Sequence, residues 1–539
     1  MSSTLPPSGG PEYLEVGGGA PLPPSETSSG RGGRRLLVGG VVAAALVAGG
    51  GAAWALTSFF SSGPQAAEVL PATTVGYASI DLDPSGSQKI EAVRMLRKFP
   101  SFREDVGLDT DDDVRKAIWD ELGAEDECPD ISYADDVEPW LGDRFAMAAV
   151  DTGGGTPVPV GVLQVTDEDA ADEGLQRLRD CGSGGVVSDP ASGGWVISDG
   201  WAIIAEDEKT AQQVVDATDD GTLADDETYQ EWMDEVGDAG IASAYVAPAA
   251  GAFMADGLQG MTGLVPPEAT DLGSEADRAL RDFQGLAMTV RFSDGALEME
   301  MAGDPGLTVE SLYSSDRGAD MAQTLPDSTA IAVGAGFEDG WVRDVVDQVA
   351  SMVGGDADEL LAEAGAGTGL DLPDDVETLV GDSFALSVDS DFDPDELLSV
   401  GDTSSIPVAA KIQGDPEGVE SVLDKLRSQI PPPDGEALIP SESDGDVTVV
   451  GLSSDYNSEV LGNGGLGDSD VFRNAVREAD QASAVLFVNF DAGNGWVEDM
   501  VDDGDPGSVD DVAVLQGFGM SLWGTDGAAH AVLRLTTDD

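Results

Sequence analysis

The chain has 539 residues and carries 25 Lys and Arg against 104 Asp and Glu, a formal net charge of −79 at pH 7. A polyanion of that density is repelled by phosphate backbones, which excludes nucleic-acid binding as the main function. An apolar content of 41% excludes disorder throughout, while one histidine and two cysteines leave the usual zinc sites and most histidine-based catalytic constellations without their parts.

Residues 1–35 hold 6 Pro, 8 Gly and 6 Ser, too little apolar surface to offset ordering entropy, and read as a disordered cytoplasmic tail. Its Pro21-Leu22-Pro23-Pro24 run is either a spacer or a polyproline II ligand. Residues 36–60, LLVGGVVAAALVAGGGAAWALTSFF, carry no charge. As a helix they reach about 37 Å, enough to cross a hydrocarbon core of about 30 Å with tilt. Arg31, Arg34 and Arg35 precede this run and the next basic residue is Lys89, so the positive-inside rule puts the N-terminus in the cytoplasm and the acidic remainder outside. A cleaved signal peptide is the competing reading, since Ala53-Trp54-Ala55 fits a cleavage site. The long leader and the continuation of the run past that site favour an uncleaved anchor. Gly40, Ala44, Ala48 and Ala52 share one helix face and offer a dimerisation stripe, although a span rich in Ala and Gly produces that spacing by chance as well.

After a linker at 61–69, one unit is written twice, at 70–303 and 325–539, with a second linker at 304–324. Leu70-Pro71-Ala72-Thr73-Thr74 returns as Leu325-Pro326-Asp327-Ser328-Thr329, and LGDRFA from Leu141 returns as VGDSFA from Val380. PVGVLQVTDEDAADEGLQRLRD from Pro159 matches PVAAKIQGDPEGVESVLDKLRS from Pro407. Asp199-Gly200 matches Asp444-Gly445, the helix around Tyr229 matches that around Phe472, and GLAMTVRFSDG from Gly285 matches GFGMSLWGTDG from Gly517. The order of the landmarks is preserved and their offsets drift by loop-sized amounts, which indicates an internal duplication.

Strand patterns occupy TVGYASID from Thr74, RFAMAAVD from Arg144 and VPVGVLQV from Val158. Asp-Gly at 199, 294, 444 and 526 suits the two positive-φ positions of type I′ turns and predicts antiparallel hairpins. Thr110 followed by Asp111, Asp112 and Asp113 predicts a capped helix with Val114, Ile118 and Leu122 on one face. Trp341, Val345, Val349 and Met352 form a similar stripe in the second copy. The predicted fold class is α+β: a duplicated antiparallel sheet with helices on one side, after a disordered tail and one transmembrane helix.

The Leu-Pro-x-x-Thr opening behind an N-terminal span, the Leu-Gly-Asp-Arg-Phe-Ala element at Leu141 and the strand-helix that follows resemble an uncharacterised family of membrane-anchored bacterial envelope proteins, a domain of unknown function. The resemblance runs over most of the chain from Leu70 onward. It implies a place in the bacterial cell membrane and an architecture, and it supplies no catalytic residues.

Chemistry read directly from the residues is sparse. Cys128 and Cys181 lie beyond the span, where disulfides persist, and are candidates for a bridge, with two buried thiols as the alternative. Asp81-x-Asp83-x-Ser85-Gly86 begins like an EF-hand loop, yet Ala92 stands where a bidentate Glu is needed; Asp389, Asp391 and Asp393 alternate, with Pro394 at the glycine position. Both read as solvated surface. Gly381-Asp382-Ser383 has the outline of a nucleophile motif, but Arg144 takes the serine position in the first copy, and His530 reads as a strand residue. No catalytic residue, cofactor or metal ligand is expected. The expected function is an extracytoplasmic binding or structural protein of the envelope, with a wall component, lipid or protein as partner. A carboxylate-based or metal-assisted hydrolase is the alternative.

Overall fold

The computed structural model describes residues 65–82, 86–100, 114–121, 128–182, 193–260, 274–307, 309–353, 355–392, 403–430, 439–493, 510–525 and 527–538. Apolar and small residues alternating between turn residues produce β1 (Thr74–Asp81), β2 (Leu141–Val150), β3 (Val158–Val165), β4 (Gly194–Ser198), β5 (Trp201–Ala205), β6 (Ala242–Val246), β7 (Leu286–Ser293) and β8 (Ala296–Gly303). The second half repeats the set as β9 (Thr329–Ala335), β10 (Ser383–Asp389), β11 (Val408–Gln413), β12 (Ser441–Asp444), β13 (Val447–Gly451), β14 (Ala484–Asn489), β15 (Leu515–Gly524) and β16 (Ala529–Thr537). Helices of the first half are α1 (Gly86–Leu96), α2 (Val114–Glu121), α3 (Glu168–Gly182), α4 (Glu208–Ala217), α5 (Glu227–Glu235), α6 (Ala249–Gly260) and α7 (Ser274–Arg281). Those of the second are α8 (Trp341–Val353), α9 (Ala357–Thr368), α10 (Asp374–Val380), α11 (Pro416–Arg427), α12 (Ser454–Leu461) and α13 (Asp470–Ala475).

All sixteen strands join one antiparallel sheet. From its centre outward the first half runs β8-β7-β6-β1-β2-β3-β5-β4 and the second β16-β15-β14-β9-β10-β11-β13-β12, the same order. The halves meet through β8 and β16, where Glu300 pairs with Val532. The spacing that relates Gly285 to Gly517 makes Val532 the counterpart of Glu300, so a pseudo-twofold axis passes between these two residues. Local bonding repeats as well. Leu70 and Leu325 are both fully buried, and their carbonyls accept the amides of Leu223 and Leu466 at 2.7 and 3.0 Å. Asp207 and Ser453 cap α4 and α12, and Asp226 and Ser469 cap α5 and α13, each accepting an orphan helix amide.

Helices cover both faces of the sheet, which corrects the expectation of one covered side. Val214 of α4 and Tyr229, Trp232 and Met233 of α5 pack on Tyr77, Val162 and Ile203, whereas Ala171 and Leu175 of α3 pack on Ala202, Leu163 and Ile204. Alternate residues of a strand point to opposite faces, so α3 lies opposite α4 and α5. In the second half α11 packs on Phe384, Ile412 and Val450, opposite α12 and α13. The reason lies in the strands, which are apolar on both faces.

The two faces nonetheless differ. The first, under α4, α5, α12 and α13, carries the buried polar side chains of the sheet, among them Thr289, Glu298, Ser387, Lys411, His530 and Arg534. The second face is apolar or glycine from Phe145, Met147 and Ala149 of β2, through Met288 of β7, Met301 of β8, Leu533 of β16 and Met520 of β15, to Phe384, Leu386 and Val388 of β10, except at Thr537, the last residue of β16; Val290, Phe292, Met299 and Ala531 on it are buried. Most of its other side chains are only half-buried; Met147 is 72% and Val333 37% exposed.

Segments read as linkers supply core instead: Ala66 and Ala67 join the first core, and Ala319, Met321 and Ala322 the second. On α8 the buried positions are Val342 and Ala350, one residue out of step with the expected stripe, and Val349 is exposed. Thr110 and Leu122, expected at the ends of α2, lie outside the described residues. So does the 36–60 run with Gly40, Ala44, Ala48 and Ala52. Among the described residues no helix is long and apolar enough to cross a membrane.

Candidate functional site

Tyr77, Ser79 and Asp81 alternate along β1 and point together to the first face. Beside them β6 contributes Ser243, β2 contributes Arg144, and α5 lays Tyr229, Gln230, Met233 and Asp234 across the top. With Gln65–Glu68 closing one end, these residues enclose a cavity of about 310 Å³. Its interior is internally paired. Ser79 Oγ and Ser243 Oγ share a hydrogen bond of 2.8 Å, and Arg144 Nε lies 2.9 Å from Asp81 Oδ2. Burial pushes the Tyr77 hydroxyl up to about 12, against a hydrogen bond to Ser79 that pulls it down, so it is neutral and can donate. Asp234, Gln230 and Glu68 stand exposed at the rim.

The second half fills the corresponding place with its own main chain. Gly318 donates to the Ala482 carbonyl at 2.7 Å, and the Arg317 carbonyl accepts from Ser383 Oγ at 2.8 Å. The strap fits because Gly334 and Gly336 face it: a Cβ at Gly334 would collide with the Gly318 carbonyl oxygen, and one at Gly336 would lie 2.8 Å from the Arg317 carbonyl carbon. Their first-half counterparts are Ser79 and Asp81, and that of Ser383 is Arg144. The strap's own counterparts, Ser62 and Gly63, lie outside the described residues; the cavity is the space between these side chains and α5.

A second polar cluster sits at the pseudo-twofold axis. Glu298, almost fully buried, is in contact with Arg534 and Arg291, and Arg291 Nη2 reaches Glu300 at 2.9 Å. Burial raises the Glu300 carboxyl to about 7; Arg291 opposes this, while Glu298 and Glu478 add to it. In the second half the counterparts of Arg291 and Glu298 are Trp523 and His530, whose rings stack 5.1 Å apart at 5°. Burial lowers the His530 pKa, against the pull of Glu235 3.5 Å from Nε2, which favours the neutral imidazole.

Cys128 and Cys181 form a disulfide with Cα atoms 5.9 Å apart, packed against the α3 core. Asp81 is committed to Arg144, and Asp389 accepts from Ser328 Oγ at 2.5 Å; Asp83, Ser85 and Asp393 lie outside the described residues. Among the described residues no group of His, Cys, Asp or Glu is arranged to hold a metal ion. Ser383 is buried under the strap, and Asp382 pairs with Arg317 at 3.0 Å. Lys411 is buried too, its Nζ donating to the carbonyls of Gly462 and Thr324 at 2.7 and 3.2 Å, and burial lowers it to about 8. Sequence reasoning missed Ser79 and Ser243, whose only signal is the polar alternation Tyr77-Ser79-Asp81 inside a strand.

No curated protein and no solved structure matches the chain. The family model described as protein of unknown function (DUF3352) matches residues 37–412, more than half of the chain and as far as β11 of the second half, and the chain therefore belongs to that family.

Proposed function

We propose that this is a membrane-anchored extracytoplasmic binding protein whose first half holds a small ligand in the cavity between β1 and α5. The observation that carries the reading is the lining itself: where the second half has Gly334, Gly336 and Ser383 against main chain, the first half places Ser79, Asp81 and Arg144, which with Tyr77 and Ser243 line a cavity. Three carboxylates against one arginine, already paired, disfavour an anion, so the ligand is neutral or cationic and hydroxyl- or amine-bearing. A hydrolase is the weaker reading, because each serine is bonded to the other and the lining carboxylate of Asp81 is paired with Arg144.

The anchor rests on sequence: an uncharged run at 36–60 with three arginines before it and the acidic excess behind it. Reporter fusions at Asp539 should be active only outside the cytoplasm, and a cytoplasmic C-terminus would overturn the topology. Ser243→Val, which installs the residue found at the counterpart Val485, should keep the melting temperature but abolish thermal shifts given by small sugars and amines. Wild-type and variant responding alike across that panel would sink the cavity reading.

A further inference from the structure

His530 is the only histidine of the chain. It sits on β16, the strand that joins the halves, flanked by Ala302 of β8 and by Trp523 of β15, on which its buried ring is stacked. Buried polar groups are as a rule hydrogen-bonded, yet neither ring nitrogen has a hydrogen bond among the described residues. Glu235 Oε2 lies 3.5 Å from Nε2, too far for a charge-assisted bond. The other ionisable groups of the junction, Arg291, Glu298, Glu300, Arg477, Glu478 and Arg534, engage one another further along the strands, and Glu235 is the charge that acts on the ring. Glu235 is the last residue of α5, and the residues just before it, Gln230, Met233 and Asp234, roof the small-ligand cavity.

We infer that His530 is an acid switch for that cavity: a proton on the ring draws Glu235 in, shifts the last turn of α5 and loosens the site. The inference rests on the reading of the cavity as a binding site. An imidazolium brings two N–H donors to a place where neither nitrogen has an acceptor at bonding distance among the described residues, and a buried charge without a partner is costly, so the proton enters only with movement. Glu235, exposed and already beside Nε2, is the carboxylate that can move to meet it. The order β16-β8-β7-β6-β1 sets the direction. Travel toward β16 is travel away from β1, which takes Met233 and Asp234 off Tyr77 and Ser79 across the cavity. The first turn of α5 stays in place, capped by Asp226 and fixed by Tyr229 packed edge-on between Tyr77 and Tyr245. Burial puts the protonation below the ordinary histidine value of about 6.5, so the cavity loosens on acidification.

In the full chain, Ser243→Cys places one free thiol on the cavity wall, since Cys128 and Cys181 are tied to each other. Its rate of modification by 2-aminoethyl methanethiosulfonate, a small cationic reagent, is measured from pH 8 to pH 5. Dividing by the rate in Ser243→Cys that also carries Glu235→Gln cancels the ionisation of the thiol itself. The ratio should rise about fivefold between pH 8 and pH 5. His530→Phe, which keeps a ring on Trp523, should serve as the divisor equally well, and the exposed position of Glu235 keeps the comparison usable where the buried variant fails to fold. One histidine gives one imidazole signal by NMR, and Glu235→Gln should move its titration to lower pH. A flat ratio, or an imidazole that titrates alike with and without the Glu235 carboxylate, would overturn the switch and leave the cavity standing. A thiol that resists the reagent at every pH would overturn the cavity and the switch together.

Discussion

Glu300 sits where the two halves meet, with two carboxylates, Glu298 and Glu478, and one arginine in its surroundings, and burial is the largest influence on it. Its carboxyl is held near 7 in the folded chain against about 4.5 when free. The folded state therefore binds the extra proton across that interval, so the contribution to stability is complete below about 4.5 and is lost as pH rises through 7. His530 acts in the opposite sense at a separate window: its lowered pKa favours the neutral ring, a contribution present above about 6.5 and lost as pH falls. Asp491, raised to about 6 by burial and by Asp538, follows the Glu300 direction. Comparing Glu300→Gln with wild-type cancels the other two. The variant should gain stability relative to wild-type from pH 4.5 upward, on the order of 3 kcal/mol by pH 8; parallel melting profiles over that range would show that Glu300 ionises freely.

At the scale of elements, the strap before β9 packs against Gly334 and Gly336, and Gly318 is its tightest point. A Cβ there would run into the backbone carbonyl of Ser483, which cannot move without breaking its hydrogen bond from the Gly336 amide beside β14. Gly318→Ala should cost about 2–4 kcal/mol, read as a shift of the denaturant midpoint at unchanged slope, whereas Gly445→Ala, a hairpin position with open space around it, should cost about 1 kcal/mol for its positive φ alone. Equal losses at both sites would show that the strap is not packed as described. The duplication, the strands β1 and β3 and the hairpins were legible in the sequence because they rest on local periodicity and turn chemistry. Register was less so. An ungapped match of PVGVLQV with PVAAKIQ sets Lys411 against Leu163, yet Lys411 pairs with Ala385 as Val162 pairs with Ala146. One residue is dropped between Gln413 and Asp415 relative to Gln164 and Asp167, and a slip of one moves every side chain to the other face. The Asp-Gly match slips likewise: Asp199 and Gly200 are both at positive φ, but Asp444 ends β12 and the turn is Gly445-Asp446, with only Gly445 at positive φ. The cavity was not legible at all, since it depends on how α5 packs over β1, β2 and β6, which are distant in sequence.

For the whole molecule the dominant quantity is charge. Beyond residue 60, 22 basic and 101 acidic side chains remain, and the structure shows how thinly the cations are spread. Arg317 is shared by Asp320 and Asp382, Arg343 by Asp347 and Asp358, Arg281 by Asp256 and Asp277, and Lys425 by Asp371 and Asp375. Many of these pairs are exposed, so each adds little, and the surplus carboxylates repel one another across the surface. Raising salt from 0.01 to 0.15 M shortens the reach of that repulsion from about 30 to about 8 Å. Since the unfolded chain spreads its charges further apart than the folded one, screening relieves the folded state more. The melting temperature should therefore climb with ionic strength until the screening length falls below the spacing of surface charges, and then level off. Sodium and calcium compared at equal ionic strength separate screening from binding. With Asp81 and Asp389 already committed to Arg144 and Ser328, calcium should exceed sodium only gradually and no more than magnesium does. Saturable stabilisation at micromolar calcium, absent with magnesium, would instead reveal a specific site among the carboxylates.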